Sequence, residues 1–108
     1  MSIVDMKSFL LTPLAASDLN EIWEYLATDN IESADRTLMD LEKAMQRPAR
    51  RPHTGHVRED LANRQHRFLL VSSYLIVYRA ETKPLQVIRV LHTARDVQQL
   101  LGSTIEKG

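Results

Sequence analysis

Arginine side chains are concentrated in the second half of the chain, where they could bind anionic groups. Residues 47–95 contain ten Lys or Arg against three Asp or Glu, whereas residues 1–46 contain three against nine. A guanidinium group binds a phosphate or a carboxylate through two hydrogen bonds, so a cluster of them could hold RNA, DNA or an acidic protein segment. The two halves could equally attract each other or form two solvated faces. The arginines concerned are Arg50, Arg51, Arg58, Arg64, Arg67, Arg79, Arg89 and Arg95.

His92 is the histidine best placed for chemistry, because it ends a strand-like segment between Arg89 and Arg95. Imidazole titrates near neutral pH, so His92 could act as a general acid or base. It could also simply cap the strand end, and we favour this structural role. Asp96 has a comparable structural role, as a carboxylate at the start of a following helix.

The sequence predicts neither a metal site nor a cofactor site. His53 and His56 lie in a Pro- and Gly-containing loop without acidic companions, and the chain has no cysteine, so a four-ligand zinc site is not expected. The three glycines are scattered, which argues against a phosphate-binding loop. No serine has the setting of a nucleophile elbow.

Two segments near the C-terminal end predict the strands that position the candidate residues. Residues 74–79 are almost wholly apolar and rich in β-branched and aromatic side chains, which is typical of a central strand covered on both faces. Alternation along residues 85–92 would place Arg89 on the same face as Val87 and Leu91. The other predicted strands are residues 7–11 and 65–71. Ser72-Ser73 is expected to be a turn or bulge, and residues 81–84 are expected to form the turn between the last two strands.

Two amphipathic helices are predicted between the first two strands. Thr12 and Pro13 suit the N-cap and first position of a helix that runs to about Thr28, and Asn30 can cap the second helix. Both helices carry one apolar stripe, and Trp23 is expected to pack in the core with it. The stripe residues are Leu19, Ile22, Trp23 and Leu26 in the first helix and Ala34, Leu38, Leu41 and Met45 in the second.

A long loop and a short terminal helix complete the prediction. Proline disfavours continued helix, so the loop is expected to run from about Pro48 to Asn63. A candidate capping box at Thr93-Ala-Arg-Asp96 precedes an apolar stripe and predicts a C-terminal helix. We expect disorder at residues 1–6 and 103–108.

These elements predict a single two-layer α+β domain of 108 residues. An N-terminal strand precedes an antiparallel helical hairpin, which packs on an antiparallel sheet completed by a three-strand meander. The second face of the sheet would be partly open and would carry Arg67, Arg79 or Arg89, according to register. No segment approaches the ~20 apolar residues of a membrane span, and none resembles a signal peptide. A soluble cytoplasmic protein without a membrane partner is expected.

Several segments, in their order and spacing, are shared with a known family. They are residues 11–27, beginning Leu11-Thr-Pro-Leu-Ala-Ala; Pro52-His-Thr-Gly-His-Val-Arg-Glu-Asp-Leu; Tyr74-Leu-Ile-Val-Tyr-Arg; and Arg89-Val-Leu-His-Thr-Ala-Arg-Asp. Through them nearly the whole chain resembles the ParE branch of the RelE/ParE toxins of bacterial type II toxin–antitoxin systems. The resemblance implies a small cytosolic α+β domain.

It also implies a function and two partners. ParE-like proteins poison DNA gyrase by binding it, without enzymatic activity of their own, and a cognate ParD-like antitoxin neutralises them in a hetero-oligomer. The antitoxin is expected to lay an amphipathic segment near Leu19, Trp23, Leu38 and Leu41. Direct binding of nucleic acid is left open. The candidate target contacts are Arg58, Arg67, Arg79, Arg89, His92 and Arg95.

The alternative is a RelE-like ribosome-dependent mRNA endonuclease, which has the same fold. That chemistry needs a base, an acid and cations on the phosphate, and Arg67, Arg89 and His92 could form a partial set. The resemblance argues against it, because Leu75 fills the central-strand position where those enzymes have arginine, and Thr93 follows His92 where they have tyrosine. A non-toxic module that only titrates antitoxin is a third alternative.

Overall fold

The fold consists of a helical hairpin packed on one face of a four-stranded sheet. The computed structural model describes residues 9–52, 55 and 66–94. The elements are β1 (Phe9–Leu11), α1 (Pro13–Ala27), α2 (Ile31–Arg50), β2 (His66–Val71), β3 (Tyr74–Arg79) and β4 (Leu85–His92). This two-layer α+β architecture confirms the predicted fold class. The predicted C-terminal helix lies outside the described residues.

The sheet has the strand order β1-β4-β3-β2 and is mixed. Strands β2, β3 and β4 form the predicted antiparallel meander, whose first turn is Ser72-Ser73. Strand β1 pairs in parallel with β4, with Phe9 opposite Leu85. The expectation of a wholly antiparallel sheet is therefore corrected at this one pairing. Parallel neighbours require a long crossover connection, and the helices and the meander together supply it.

Strand β3 lies at the centre of the core, as its apolar sequence predicts. Ile76, Val77 and Tyr78 have no solvent exposure at all. Ile76 and Tyr78 pack with the helices, whereas Val77 lies opposite Phe68 of β2 on the other face. Phe68 is only 2% exposed, whereas Leu70, two residues further along the same face of β2, is 63% exposed, so this second face is closed at its centre and open near the Ser72-Ser73 turn.

Local capping explains where both helices begin. The hydroxyl of Thr12 accepts a hydrogen bond from the N–H of Ala15 at 3.2 Å and donates one to the carbonyl of Ile88 at 3.0 Å. The same side chain therefore starts α1 and attaches it to β4. Asn30 caps α2 by accepting from the N–H of Ser33 at 2.9 Å. Both capping predictions are confirmed.

Helix α2 continues through Pro48 to Arg50, so the prediction of a loop from Pro48 is wrong at its start. Proline removes one backbone donor from the helix. The side chain of Pro48 is fully buried, which offsets this loss, and the N–H of Arg51 donates to the carbonyl of Arg47 at 2.8 Å. The apolar burial and this terminal bond keep the last turn helical. Among the helices of the described ranges, none is long and apolar enough to cross a membrane.

A bulge in β4 breaks the strict alternation expected for that strand. Tyr78 pairs with Val87 and Val77 pairs with Arg89, which leaves Ile88 as an extra residue. Val87 and Val90 consequently both belong to the core that faces the helices. The bulge lies where β1 ends and α1 begins, and it changes the surroundings of Arg89.

Candidate functional site

An open groove of about 340 Å³ lies between α1 and the C-terminal end of β4. We call it the α1–β4 groove. Its most exposed aromatic side chain is Tyr25, which is 80% exposed. Carboxylates of Asp18 and Glu21 lie on the helix side, and apolar side chains form much of the rest. The lining consists of Asp18, Glu21, Ile22, Tyr25, Tyr74, Val90, Leu91, His92 and Ala94.

His92 lies in this groove and is held by local contacts. Its Nδ1 accepts a hydrogen bond from the N–H of Ala94 at 3.0 Å, which leaves Nε2 to carry the proton of the neutral ring. The ring meets Tyr74 edge to face, with centroids 5.1 Å apart at 86°. Burial raises the pKa of Tyr74, with Tyr25 as the second cause. These contacts support the predicted structural role of His92 at the strand end.

Arg89 is engaged inside the protein by Asp18 of α1. Its Nε and Nη2 donate to the two carboxylate oxygens of Asp18 at 2.8 and 2.9 Å. Asp18 also accepts the N–H of Val90 at 2.9 Å, so one carboxylate satisfies both the guanidinium and the bulged strand. Both side chains are largely buried. Hydrogen bonding to Asp18 raises the pKa of Arg89, while burial acts in the opposite direction.

Arg67 binds a backbone carbonyl away from the α1–β4 groove, where Gly55 lies close to β2 and β3. Its Nη1 donates to the carbonyl of Gly55 at 3.0 Å. The hydroxyl of Tyr78 accepts the N–H of Gly55 and donates to the carbonyl of Pro52, both at 2.8 Å. Burial raises the pKa of Tyr78, and the hydrogen bond from Gly55 partly opposes this. Arg67 and Tyr78 thus fix the chain that follows α2.

Arg79 and His66 lie opposite each other on β3 and β2. Nε of Arg79 is buried and has no hydrogen-bond partner among the residues that the structure describes. His66 is 7% exposed. Burial lowers the pKa of His66, the charge of Arg79 lowers it further, and Glu81 acts in the opposite direction. His66 and Arg79 thus place two basic side chains next to each other on the edge strand β2 and its neighbour β3.

Stability is expected to fall on acidification because of His66. In the unfolded chain His66 binds a proton below its ordinary pKa of about 6.5, whereas the folded protein binds it only at lower pH. The free energy of unfolding should therefore decrease between pH 7.5 and 5.5, at up to about 1.4 kcal/mol per pH unit from this group. Urea unfolding at pH 7.5 and at pH 5.5 measures this change in the free energy of unfolding. His66→Gln should flatten the dependence, and an unchanged slope would contradict the assignment.

Some predicted residues lie outside the described part of the chain. They are His53, His56, Arg58, Arg64, Arg95 and Asp96. Arg50 and Arg51 lie at the C-terminal end of α2, away from the α1–β4 groove. Of the predicted target contacts, His92 lines the groove, whereas Arg67, Arg79 and Arg89 are distributed along the sheet. Among the residues that the structure describes, no cluster of three or more His, Cys, Asp or Glu could hold a metal ion.

The four predicted antitoxin contacts differ in exposure. Leu19 is 6% and Leu41 is 1% exposed, because both face the sheet, so neither forms an open apolar surface. Leu38 is partly exposed and packs at the edge of the core. Trp23 is also partly exposed, and its Nε1 donates to Asp35 across the hairpin at 2.8 Å. Trp23 therefore joins the two helices and is less buried than predicted.

Sequence patterns alone did not single out two residues of these sites. Asp18 is a polar position off the apolar stripe of α1, and its partner Arg89 is 71 residues away, so no local spacing indicates the pair. Tyr25 is an aromatic residue outside the apolar stripe, beside Glu21 and Glu24. This position in the sequence is the signal that could have identified it as a candidate contact residue. Exposed aromatic residues of this kind are frequent in protein interfaces.

The protein is a small α+β domain with an exposed, largely apolar groove. Comparison of its sequence with known protein families identifies the family to which it belongs. The profile of the family described as "ParE toxin of type II toxin-antitoxin system, parDE" matches residues 9–97. The chain belongs to this ParE toxin family, which confirms the resemblance found in the sequence.

Two relatives and one solved structure illustrate the similarity. Toxin ParE1 of Mycobacterium tuberculosis, in strain ATCC 25618 / H37Rv and in strain CDC 1551 / Oshkosh, is 30% identical over 95 residues, which are 86% of this chain and 96% of each relative. The structure described as "Chromosomal ParDE TA system from P. aeruginosa" has a TM-score of 0.66 at 22% identity. The alignment covers 81% of this chain and 96% of that one, and it shows a shared fold.

Proposed function

We propose that this chain is a cytoplasmic toxin that inhibits DNA gyrase by binding it and that a cognate ParD-like antitoxin neutralises it. Membership of the ParE family supports the toxin class. The observation that carries the proposal is the α1–β4 groove, which offers an exposed aromatic side chain and an apolar floor to another protein. Such a site suits inhibition by binding.

The separation of Arg67, Arg89 and His92 supports binding over RNA cleavage. Arg67 pairs with Tyr78 and His92 pairs with Tyr74, so they lie four residues apart along β3, or about 13 Å. An acid–base group and the cations that stabilise a phosphate must reach the same phosphate. Arg89 is meanwhile bound by Asp18. This dispersal of Arg67, Arg89 and His92 argues for binding rather than RNA cleavage.

The chemistry of the groove favours a protein segment over a nucleic-acid backbone. Glu21 is exposed and places a carboxylate on the helix side of the groove, where it would repel phosphates, whereas the charge of Asp18 is compensated by Arg89. An apolar or cationic side chain of a partner would instead fit between Tyr25, Ile22 and the end of β4. Tyrosine buries a large amphipathic surface at low entropic cost and often dominates binding energy.

Inhibition of gyrase by the purified chain is the central test. We expect it to stop supercoiling of relaxed plasmid or to accumulate cleaved DNA, and to leave mRNA intact on translating ribosomes. Tyr25→Ala should weaken inhibition at least tenfold without unfolding the protein, since an interface aromatic contributes about 2 kcal/mol. Met39→Ala, which removes an exposed apolar side chain outside the groove, is the matched control.

The outcomes separate the target from the contact surface. Normal gyrase activity together with ribosome-dependent mRNA cleavage would overturn the proposal in favour of the nuclease. Normal activity in both assays would favour a module that only titrates antitoxin. Inhibition that survives Tyr25→Ala would reject the α1–β4 groove as the gyrase contact while leaving gyrase as the target.

For the antitoxin we propose the outer side of the helical hairpin. Only Trp23 and Leu38 of the four predicted contacts have exposed surface there, because Leu19 and Leu41 are in the core. An amphipathic segment would cover this surface by placing its apolar side chains against the two helices. Antitoxin affinity, measured on variants of Trp23 and Leu38 that retain the fold, tests this part of the proposal.

A further inference from the structure

A second groove, of about 370 Å³, lies between the C-terminal half of α2 and the edge strand β2. Three cationic side chains line it, Lys43, Arg47 and Arg50. Their spacing of four and three residues places them on one face of the helix. We call this site the basic groove. The rest of its lining is Asp40, Ala44, Gln46 and Val71.

The three cations have no internal partner in the described part of the chain. Within residues 9–52, 55 and 66–94, none of them has an ion pair or a side-chain hydrogen bond. Like charges four residues apart destabilise a helix by a few tenths of a kcal/mol, about 0.2–0.5. The helix dipole offsets this for Arg47 and Arg50 in the last turn, but Lys43 lies before that turn. Asp40 lies three residues before Lys43 and can offset its charge, whereas the described lining of the groove offers no carboxylate to Arg47 or Arg50 within one helical turn.

We propose that the basic groove binds an acidic segment of a partner protein. The distance from Lys43 to Arg50 along the helix is about 10 Å, which suits two or three carboxylates on successive turns or alternate strand positions. Ala44 and Val71 provide an apolar floor for one aliphatic side chain. Asp40 would repel a carboxylate, so the acidic residues of the segment lie toward Arg50.

A protein segment fits the basic groove better than a nucleic acid. Among the described residues that line the groove none is aromatic, so they provide no platform for stacking bases. Three cations beside one carboxylate are few for a nucleic-acid interface, which relies on many phosphate contacts over roughly 1,000 Å² or more. The inference goes beyond the proposed function, because the basic groove shares no residue with the α1–β4 groove.

The test uses the full chain and a synthetic peptide of repeated Glu-Glu-Leu, with a fluorescent label. Fluorescence anisotropy at low salt should show binding that weakens as salt is added. The double variant Arg47→Gln/Arg50→Gln should lose at least tenfold in affinity. The matched control is Arg36→Gln/Lys83→Gln, which removes the same charge from positions outside the groove and should bind as the parent does.

A third variant tests the floor of the groove without changing charge. Val71→Thr should weaken binding of the Glu-Glu-Leu peptide and leave binding of an all-glutamate peptide unchanged. Circular dichroism and thermal unfolding establish that each variant is folded. If the controls lose as much affinity as Arg47→Gln/Arg50→Gln, the binding is non-specific attraction and the proposal is overturned.

Two other results also overturn it. One is no binding of the peptide by the parent chain. The other is tighter binding of an oligothymidylate of equal charge that depends on the same two arginines, which would assign the groove to nucleic acid. Gyrase inhibition by Arg47→Gln/Arg50→Gln is measured separately, so failure of the basic groove and failure of the gyrase proposal are distinguishable.

Discussion

Replacing Asp18 with alanine is expected to lower the free energy of unfolding by about 2 to 4 kcal/mol, the largest loss among the electrostatic changes considered for this chain. The side chains of Arg89 and Asp18 are only 13% and 11% exposed, so the substitution leaves a largely buried guanidinium without its carboxylate. It also removes the acceptor of the Val90 N–H at the bulge. For a domain of this size, thermal unfolding should shift by roughly 10 °C.

A double-mutant cycle separates the ion pair from the rest of this effect. Arg89→Ala should cost less than Asp18→Ala, because Asp18 then still accepts from Val90. Asp18→Ala/Arg89→Ala should cost less than the sum of the two, with a coupling energy above about 1 kcal/mol. Glu24→Ala, an exposed change on the same helix, is the control and should remain within about 0.5 kcal/mol of the parent. Additive losses would show that the two side chains do not act together.

Replacing Gly55 with alanine is expected to destabilise the protein by about 3 kcal/mol. A Cβ at this position would lie 2.7 Å from the hydroxyl of Tyr78 and 2.8 Å from the carbonyl oxygen of Phe68. The second neighbour is backbone within β2 and cannot move without disturbing the sheet. The substitution must therefore displace Gly55 and strain its hydrogen bonds with Tyr78 and Arg67.

Urea unfolding of Gly55→Ala, Tyr78→Phe and the double variant measures this packing. Tyr78→Phe alone should cost about 1 to 3 kcal/mol, since it leaves the Pro52 carbonyl and the Gly55 N–H without their partner. In the double variant the missing hydroxyl makes room for the new methyl group, so the combined loss should fall short of the sum. A Gly55→Ala protein as stable as the parent would mean that Gly55 is not packed as described.

The surroundings of several site residues are set by contacts between distant parts of the chain. The family resemblance makes Arg89 a candidate target contact, and the pattern of its strand places it beside the core. The structure adds a bulge at Ile88 and an internal ion pair between Arg89 and Asp18. A bulge depends on how β4 pairs with β3 and on where α1 crosses β4. Neither can be predicted from the residues of β4 alone. Leu19 and Leu41 are confirmed on the core-facing helix stripes, and their burial removes them from the surface that an antitoxin could contact.

By itself, the sequence determined the local features of this protein. Thr12, Pro13 and Asn30 define the helix starts because capping is satisfied within three residues, and the apolar run of β3 specifies a central strand. The order of elements and the family resemblance followed from the same patterns. Only the tertiary structure decided the parallel pairing of β1, the continuation of α2 through Pro48, the partner of Arg89 and the two grooves. These depend on contacts between residues far apart in the chain, whose energies are set by packing and burial and not by local spacing.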